Sequence, residues 1–164
     1  MSPFVAIVVG SRSDLPTLEG APKMLDELGI GHELRVISAH RAPAFLEDYV
    51  NDAERRGAAV FIAAAGLAAH LPGVIASKTL RPVIGVPLKG GIMDGLDALL
   101  SIVQMPRGVP VATVGVGNAT NAALLAAQIL ALGDEPLRAR LAAWRRDQAE
   151  GVRNDEANVD PGPA

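Results

Sequence analysis

Ser38-Ala39-His40-Arg41-Ala42-Pro43 puts an imidazole and a guanidinium side by side where an apolar run gives way to a helical pattern. Upstream, Leu34 to Ile37 has the composition of a strand; downstream, Pro43 suits a first helical turn, and the pattern continues through Phe45, Leu46, Tyr49 and Val50. That spacing predicts His40 and Arg41 at the carboxyl end of a strand, the rim where open α/β sheets bind ligands. An imidazole there can take and return a proton, or it can simply hydrogen-bond a strand end. Arg41 is either a surface charge or, with its planar fork of donors, half of a phosphate clamp.

The other half of such a clamp is Gly10-Ser11-Arg12-Ser13-Asp14, which follows the first apolar run. Two hydroxyls and free backbone N–H groups before a helix can cradle an anion, and Asp14 can cap that helix. The stretch has neither the Rossmann nor the Walker glycine spacing. A third chemical stretch, Ala63 to Gly73, carries His70 among alanine, glycine and leucine, so backbone can approach a ligand closely between apolar walls. His40 and His70, with no carboxylate motif beside them, make a poor metal site, and no metal is expected.

Positioning these residues requires strands that end at one rim. Phe4 to Val9, Glu33 to Ile37, Ala59 to Ala64, Val83 to Val86 and Pro110 to Val114 are short apolar runs separated by helical patterns. The segments between them are long enough for right-handed crossovers. The expected fold is α/β: a three-layer, doubly wound, parallel five-stranded sheet of flavodoxin-like type with an extra C-terminal helix.

Gly20 and Pro22 predict a kinked or late-starting first helix. The second should run from Pro43 to a stop at Gly57, and another from Asn121 to Leu132. The last begins at Asp134 and lines up Leu137, Leu141 and Trp144 on a stripe that either docks on another subunit or packs on its own domain. Residues 1–152 form one domain in this reading, and 153–164, polar with two prolines, a disordered tail.

The chain has 164 residues, enough for one well-buried core. Five aromatic residues (one Trp, one Tyr, three Phe) leave little surface for stacking bases, and a net charge of −3 creates no field that seeks polyanions, so no nucleic-acid partner is expected. Absence of cysteine excludes disulfides and thiolate chemistry. The N-terminus lacks signal-peptide features, and no apolar stretch reaches the ~20 residues that span a bilayer, so a cytoplasmic protein without a membrane partner is expected.

The order of motifs then becomes informative. Gly10-Ser11-x-Ser13-Asp14, Ser38-Ala39-His40-Arg41-x-Pro43, Ala68 to Gly73, Ser101-Ile102-Val103-Gln104-Met105-Pro106-x-Gly108 and Asn121 to Ala126 together resemble the class I N5-carboxyaminoimidazole ribonucleotide mutase family of purine biosynthesis, from about Val5 to Trp144. The resemblance implies a cofactor-free transfer of CO2 from the exocyclic amine of an aminoimidazole ribonucleotide to ring carbon C4. It implies His40 as acid and base, Ser11, Ser13 and Arg41 on the phosphate, Asp14 on the ribose, and Ser38 and His70 as supporting contacts.

It also implies a homo-octamer acting on a small ribonucleotide, with a possible hand-off from the upstream ATP-dependent synthetase. The alternatives are a carboxylase using free CO2 and a non-catalytic module binding a phosphosugar or nucleotide. Ala42 stands where the family has Thr, Ala64 and Leu67 where it has glycines in the third loop, and the loop Leu88 to Gly95 matches poorly.

Overall fold

The computed structural model describes residues 3–157. Five strands, β1 (Phe4–Val9), β2 (His32–Val36), β3 (Ala58–Ala65), β4 (Val83–Pro87) and β5 (Ala112–Thr113), form one sheet in the order β2-β1-β3-β4-β5. All pairings are parallel. The expected doubly wound architecture is therefore present. The chain leaves β1 for β2 on one side and returns across β1 to β3, so the order reverses between β1 and β3, and the crevice at their carboxyl ends is the place such sheets offer a ligand.

Alternation along the strands explains why both faces are covered. Val5, Ile7 and Val9 of β1 join Val60 and Ile62 of β3 on one face, packed by Leu18 of α1 (Leu15–Leu18), Ala21 and Leu25 of α2 (Gly20–Glu27), and the alanines of α6 (Ala119–Leu130). Ala6, Val8, Phe61 and Ala63 point the other way. There they meet α3 (Pro43–Arg55) through Leu46 and Val50, α4 (Leu71–Ala76) through Ile75, and α5 (Leu96–Val103) through Ile102. Small alanines on α6 let the helix lie close, and Gly20 is needed because a Cβ there would run into the Thr120 side chain.

Several boundaries differ from the sequence reading. The first helix is split into a 3-10 turn (Arg12–Asp14), α1 and α2, as Gly20 and Pro22 suggested, but Asp14 makes no capping bond; Ser11 accepts from the Ser13 N–H instead. The fifth strand contracts from Pro110–Val114 to two residues. It is an edge strand, and Pro110 has no N–H to give a ladder. Ala64, the expected last residue of the third strand, is a fully buried β3 residue paired with Val9 and Val86, so of the two departures Ala64 and Leu67 only Leu67 lies in the loop.

The last helix, α7 (Glu135–Ala157), starts at an Asp134 carboxylate that accepts the Leu137 N–H at 2.9 Å. Leu137 and Leu141 are buried against the chain's own core, with Trp144 packed beside them, and Arg140 Nε donates to the Leu28 carbonyl at 2.8 Å. The apolar stripe is thus spent on its own domain. Helical backbone continues through Ala157, past the boundary expected at 152, and 158–164 lie outside the described residues. Among the described residues, no helix is long and apolar enough to cross a membrane.

Candidate active site

Three loops meet at the carboxyl ends of β1, β2 and β3. The first, Gly10 to Asp14, turns sharply because Ser11 Oγ accepts the Ser13 N–H at 3.3 Å. Ser11 Oγ and Ser13 Oγ lie 2.8 Å apart, and Ser13 Oγ donates to Asp14 Oδ1 at 3.4 Å, so the hydroxyls and the carboxylate form one exposed polar edge. Arg41 reaches this edge from the second loop: its Nη2 donates to the Gly10 carbonyl at 3.2 Å. The rest of that guanidinium has no carboxylate partner among the described residues, which leaves donors for an anion.

Ser38 has a local role. Its Oγ accepts the Arg41 N–H at 3.2 Å, while the Ala42 N–H donates to the Ser38 carbonyl at 3.0 Å, so this serine folds the turn that presents His40 and Arg41. The helix after it begins at Pro43 without a side-chain cap, because Ala42 has no hydroxyl to accept a first-turn N–H.

His40 and His70 are thirty residues apart in sequence, yet Nε2 of one lies 2.7 Å from Nδ1 of the other. The rings meet edge to face, with centroids 4.9 Å apart. One nitrogen must carry the hydrogen and the other the lone pair, so the two tautomers are coupled. Both rings are solvent-exposed, and each can exchange a proton with a bound molecule. No cluster of three or more metal-binding side chains occurs among the described residues.

The structure therefore brings all seven sequence-predicted residues to one rim, in two groups: Ser11, Ser13, Asp14 and Arg41 along the first loop, and His40 with His70 facing the third, linked through the Ser38 turn. Sequence reasoning missed two participants. Gly10 holds Arg41 through its carbonyl, a backbone contact that no residue type announces. The loop after β4 also belongs to the rim: the Leu88 N–H donates to the Ala65 carbonyl at 3.0 Å, and Gly66 packs on Leu88.

A wide groove of about 1190 Å³ lies at the opposite, amino end of the strands, lined in part by Glu54, Lys78, Thr79, Arg81 and Pro110. Of its polar side chains, Glu54, Ser77, Lys78 and Thr79 bond within the protein. Thr79 donates to Glu54, and Lys78 is paired with Glu47 at 2.7 Å. The groove is lined by no histidine, and we place the site at the rim.

Fold and rim together define a doubly wound α/β protein whose hydroxyl loop, arginine and paired histidines gather at the topological switch point. Residues 4–151 match the AIR carboxylase family, and the chain belongs to that family. It is 51% identical over 159 residues to the N5-carboxyaminoimidazole ribonucleotide mutase of Escherichia coli, covering 96% of this chain and 92% of the relative. It is 53% identical to the mutase of Pyrococcus abyssi over 145 residues, 88% of this chain and 83% of that one.

A chloroplastic phosphoribosylaminoimidazole carboxylase of Vigna aconitifolia is 51% identical over 151 residues; the match takes in 92% of this chain but only 27% of that longer protein. Among solved structures, that of Treponema denticola PurE2-S38D superposes with a TM-score of 0.90 at 27% identity, covering 98% of this chain and 99% of the other.

Proposed function

We propose that this chain is an N5-carboxyaminoimidazole ribonucleotide mutase, an isomerase of purine biosynthesis. The observation that supports it most is the gathering of an acid–base imidazole and a phosphate-sized set of donors at one switch point, in a chain about half identical to relatives that carry the mutase name. Ser11, Ser13 and Arg41 hold the substrate phosphate, Asp14 accepts from the ribose hydroxyls, and Ser38 keeps the turn in shape.

In the reaction, the bond between the exocyclic nitrogen and the carboxyl carbon breaks, the nitrogen takes a proton from His40, and CO2 is released beside the ring. The electron-rich C4 attacks that CO2, and the proton left on C4 passes to His40, which returns to its starting state. Atoms and charge balance with no other reactant. Holding CO2 and ring together turns recapture into an effectively intramolecular step. His70, bonded to His40, keeps the ring turned toward the substrate.

A homo-octamer in the cytoplasm is part of the same proposal. The stripe of α7 does not support it, since that stripe packs at home; α5 does, because Leu96, Leu100 and Val103 recur on one exposed helix face and Met93 precedes them in the exposed loop.

The deciding experiment compares turnover of freshly made N5-carboxyaminoimidazole ribonucleotide at low free CO2 with turnover of aminoimidazole ribonucleotide plus bicarbonate. Efficient conversion of the carbamate is expected. Turnover only of the second pair would make the chain a carboxylase, as the plant relative is named, and turnover of neither would leave a binding module.

A further inference from the structure

His40 and His70 spend one ring nitrogen each on the other: Nε2 of His40 lies 2.7 Å from Nδ1 of His70. Nδ1 of His40 and Nε2 of His70 are then the outer ends of the pair. Among the described residues neither ring has a carboxylate partner; the histidine that does is His32, 3.7 Å from Asp26. A carboxylate beside His40 would accept its N–H and fix one tautomer. An imidazole both gives and takes, so a proton that enters at one nitrogen can leave by the other.

The turn that carries His70 is held against local preference. The Ala69 N–H donates to the Gly66 carbonyl at 3.0 Å, and inside that turn Leu67 and Ala69 have φ of 56° and 45°, a region that a Cβ disfavours. Leu67 also packs over Gly91 in the loop after β4, where an added Cβ would come within 2.9 Å of Leu67 Cδ2. His70 then opens α4, yet its side chain caps no first-turn N–H. Strained residues before it bring the ring to His40 rather than to the helix.

We propose that His70 is the outer half of a two-imidazole proton wire, carrying protons between water and His40 Nδ1 as the reaction calls on His40 first as acid and then as base. The inference rests on the mutase reading above. A neutral His40 acting alone would become an imidazolate on giving up its proton, and His70 prevents this. At the start each ring carries its hydrogen on Nδ1, and His40 Nε2 accepts from His70 Nδ1. As the nitrogen–carboxyl bond breaks, its electron pair stays on the exocyclic nitrogen, which takes the His40 Nδ1 proton. The shared hydrogen moves to His40 Nε2, and the exposed His70 takes a proton from water at Nε2. After C4 attacks CO2, the C4 proton passes to His40 Nδ1, the shared hydrogen returns to His70 Nδ1, and His70 Nε2 gives its proton back to water. Both rings are neutral after each step, and the solvent proton taken in the first is returned in the second.

The test uses freshly made N5-carboxyaminoimidazole ribonucleotide with two variants. His70→Asn keeps a donor toward His40 but passes no proton through itself. Its kcat should fall about a hundredfold, the lower end of what a proton-transferring group contributes, while KM and the melting midpoint stay put. In His70→Ala, added imidazole should restore turnover in proportion to its concentration. 1-Methylimidazole, a ring of the same shape with one nitrogen blocked, should not.

Wild-type kcat in His70→Asn, or a loss confined to KM, would overturn the wire and leave the mutase reading intact. So would equal rescue by both imidazoles, or rescue by neither. Failure of wild type to convert the carbamate would instead bring down the mutase reading itself.

Discussion

The two ends of the sheet treat their polar groups in opposite ways. At the amino end, Glu33 accepts two bonds from Arg56, at 2.7 and 3.1 Å, and one from the Tyr49 hydroxyl at 2.7 Å. Arg56 continues to Asp52 at 2.7 Å and lies over the Phe4 ring at 5.3 Å. Each group there answers another. At the carboxyl rim, Arg41 reaches only a backbone carbonyl, the histidines bond to each other, and α3 begins uncapped. Leu67, Ala69 and Asp94, the non-glycine residues with positive φ among those described, lie in the loops after β3 and β4. The amino end uses its chemistry to hold the fold, whereas the rim gives up local stability and keeps its chemistry available.

Replacing His40 with Asn should break the rim most severely. Turnover should fall by about 10²–10⁴-fold, the contribution of a positioned acid–base group, with little change in KM. Arg41→Ala should act on binding: loss of a charged donor, worth about 1.5–3 kcal/mol, raises KM by roughly tenfold to a hundredfold while the melting midpoint stays put. Steady-state kinetics with the carbamate substrate checks both.

The amino end should respond in the other currency. Arg56, through its hydrogen bonds, holds the Glu33 carboxyl below its ordinary value of 4.5, with the Tyr49 bond adding to the effect. A depressed carboxylate stabilises the fold above that value and loses its contribution as pH falls through the folded-state value. Glu33→Gln should therefore melt lower than wild type at pH 7, and the gap should close on acidification below about pH 4.5. The smallest effect returns to the rim: Ala42→Thr supplies the missing cap and should stabilise by about 1 kcal/mol without changing turnover, as chemical denaturation would show.

Much of this division was legible in the chain. The central strands were clear because apolar side chains on both faces admit only a sheet buried on both sides, and β1 was read with its observed ends. The rim residues were legible because strand ends, helix starts and chemical side chains coincided at Ser38 to Pro43. Elsewhere, pairing that sequence does not display decided the outcome. Pro110 shortened an edge strand, and Ser11 rather than Asp14 capped the first turn. The contact of Leu67 with Gly91 spans two loops, and only the fold joins them.

The most direct test of the account measures turnover and thermal midpoint together for His40→Asn and Glu33→Gln. A crossed pattern is expected: the His40 variant loses turnover and melts like wild type, while the Glu33 variant turns over like wild type and melts lower at neutral pH. A His40 variant that retained turnover, or a Glu33 variant that lost it while still folded, would contradict the assignment of chemistry to the rim.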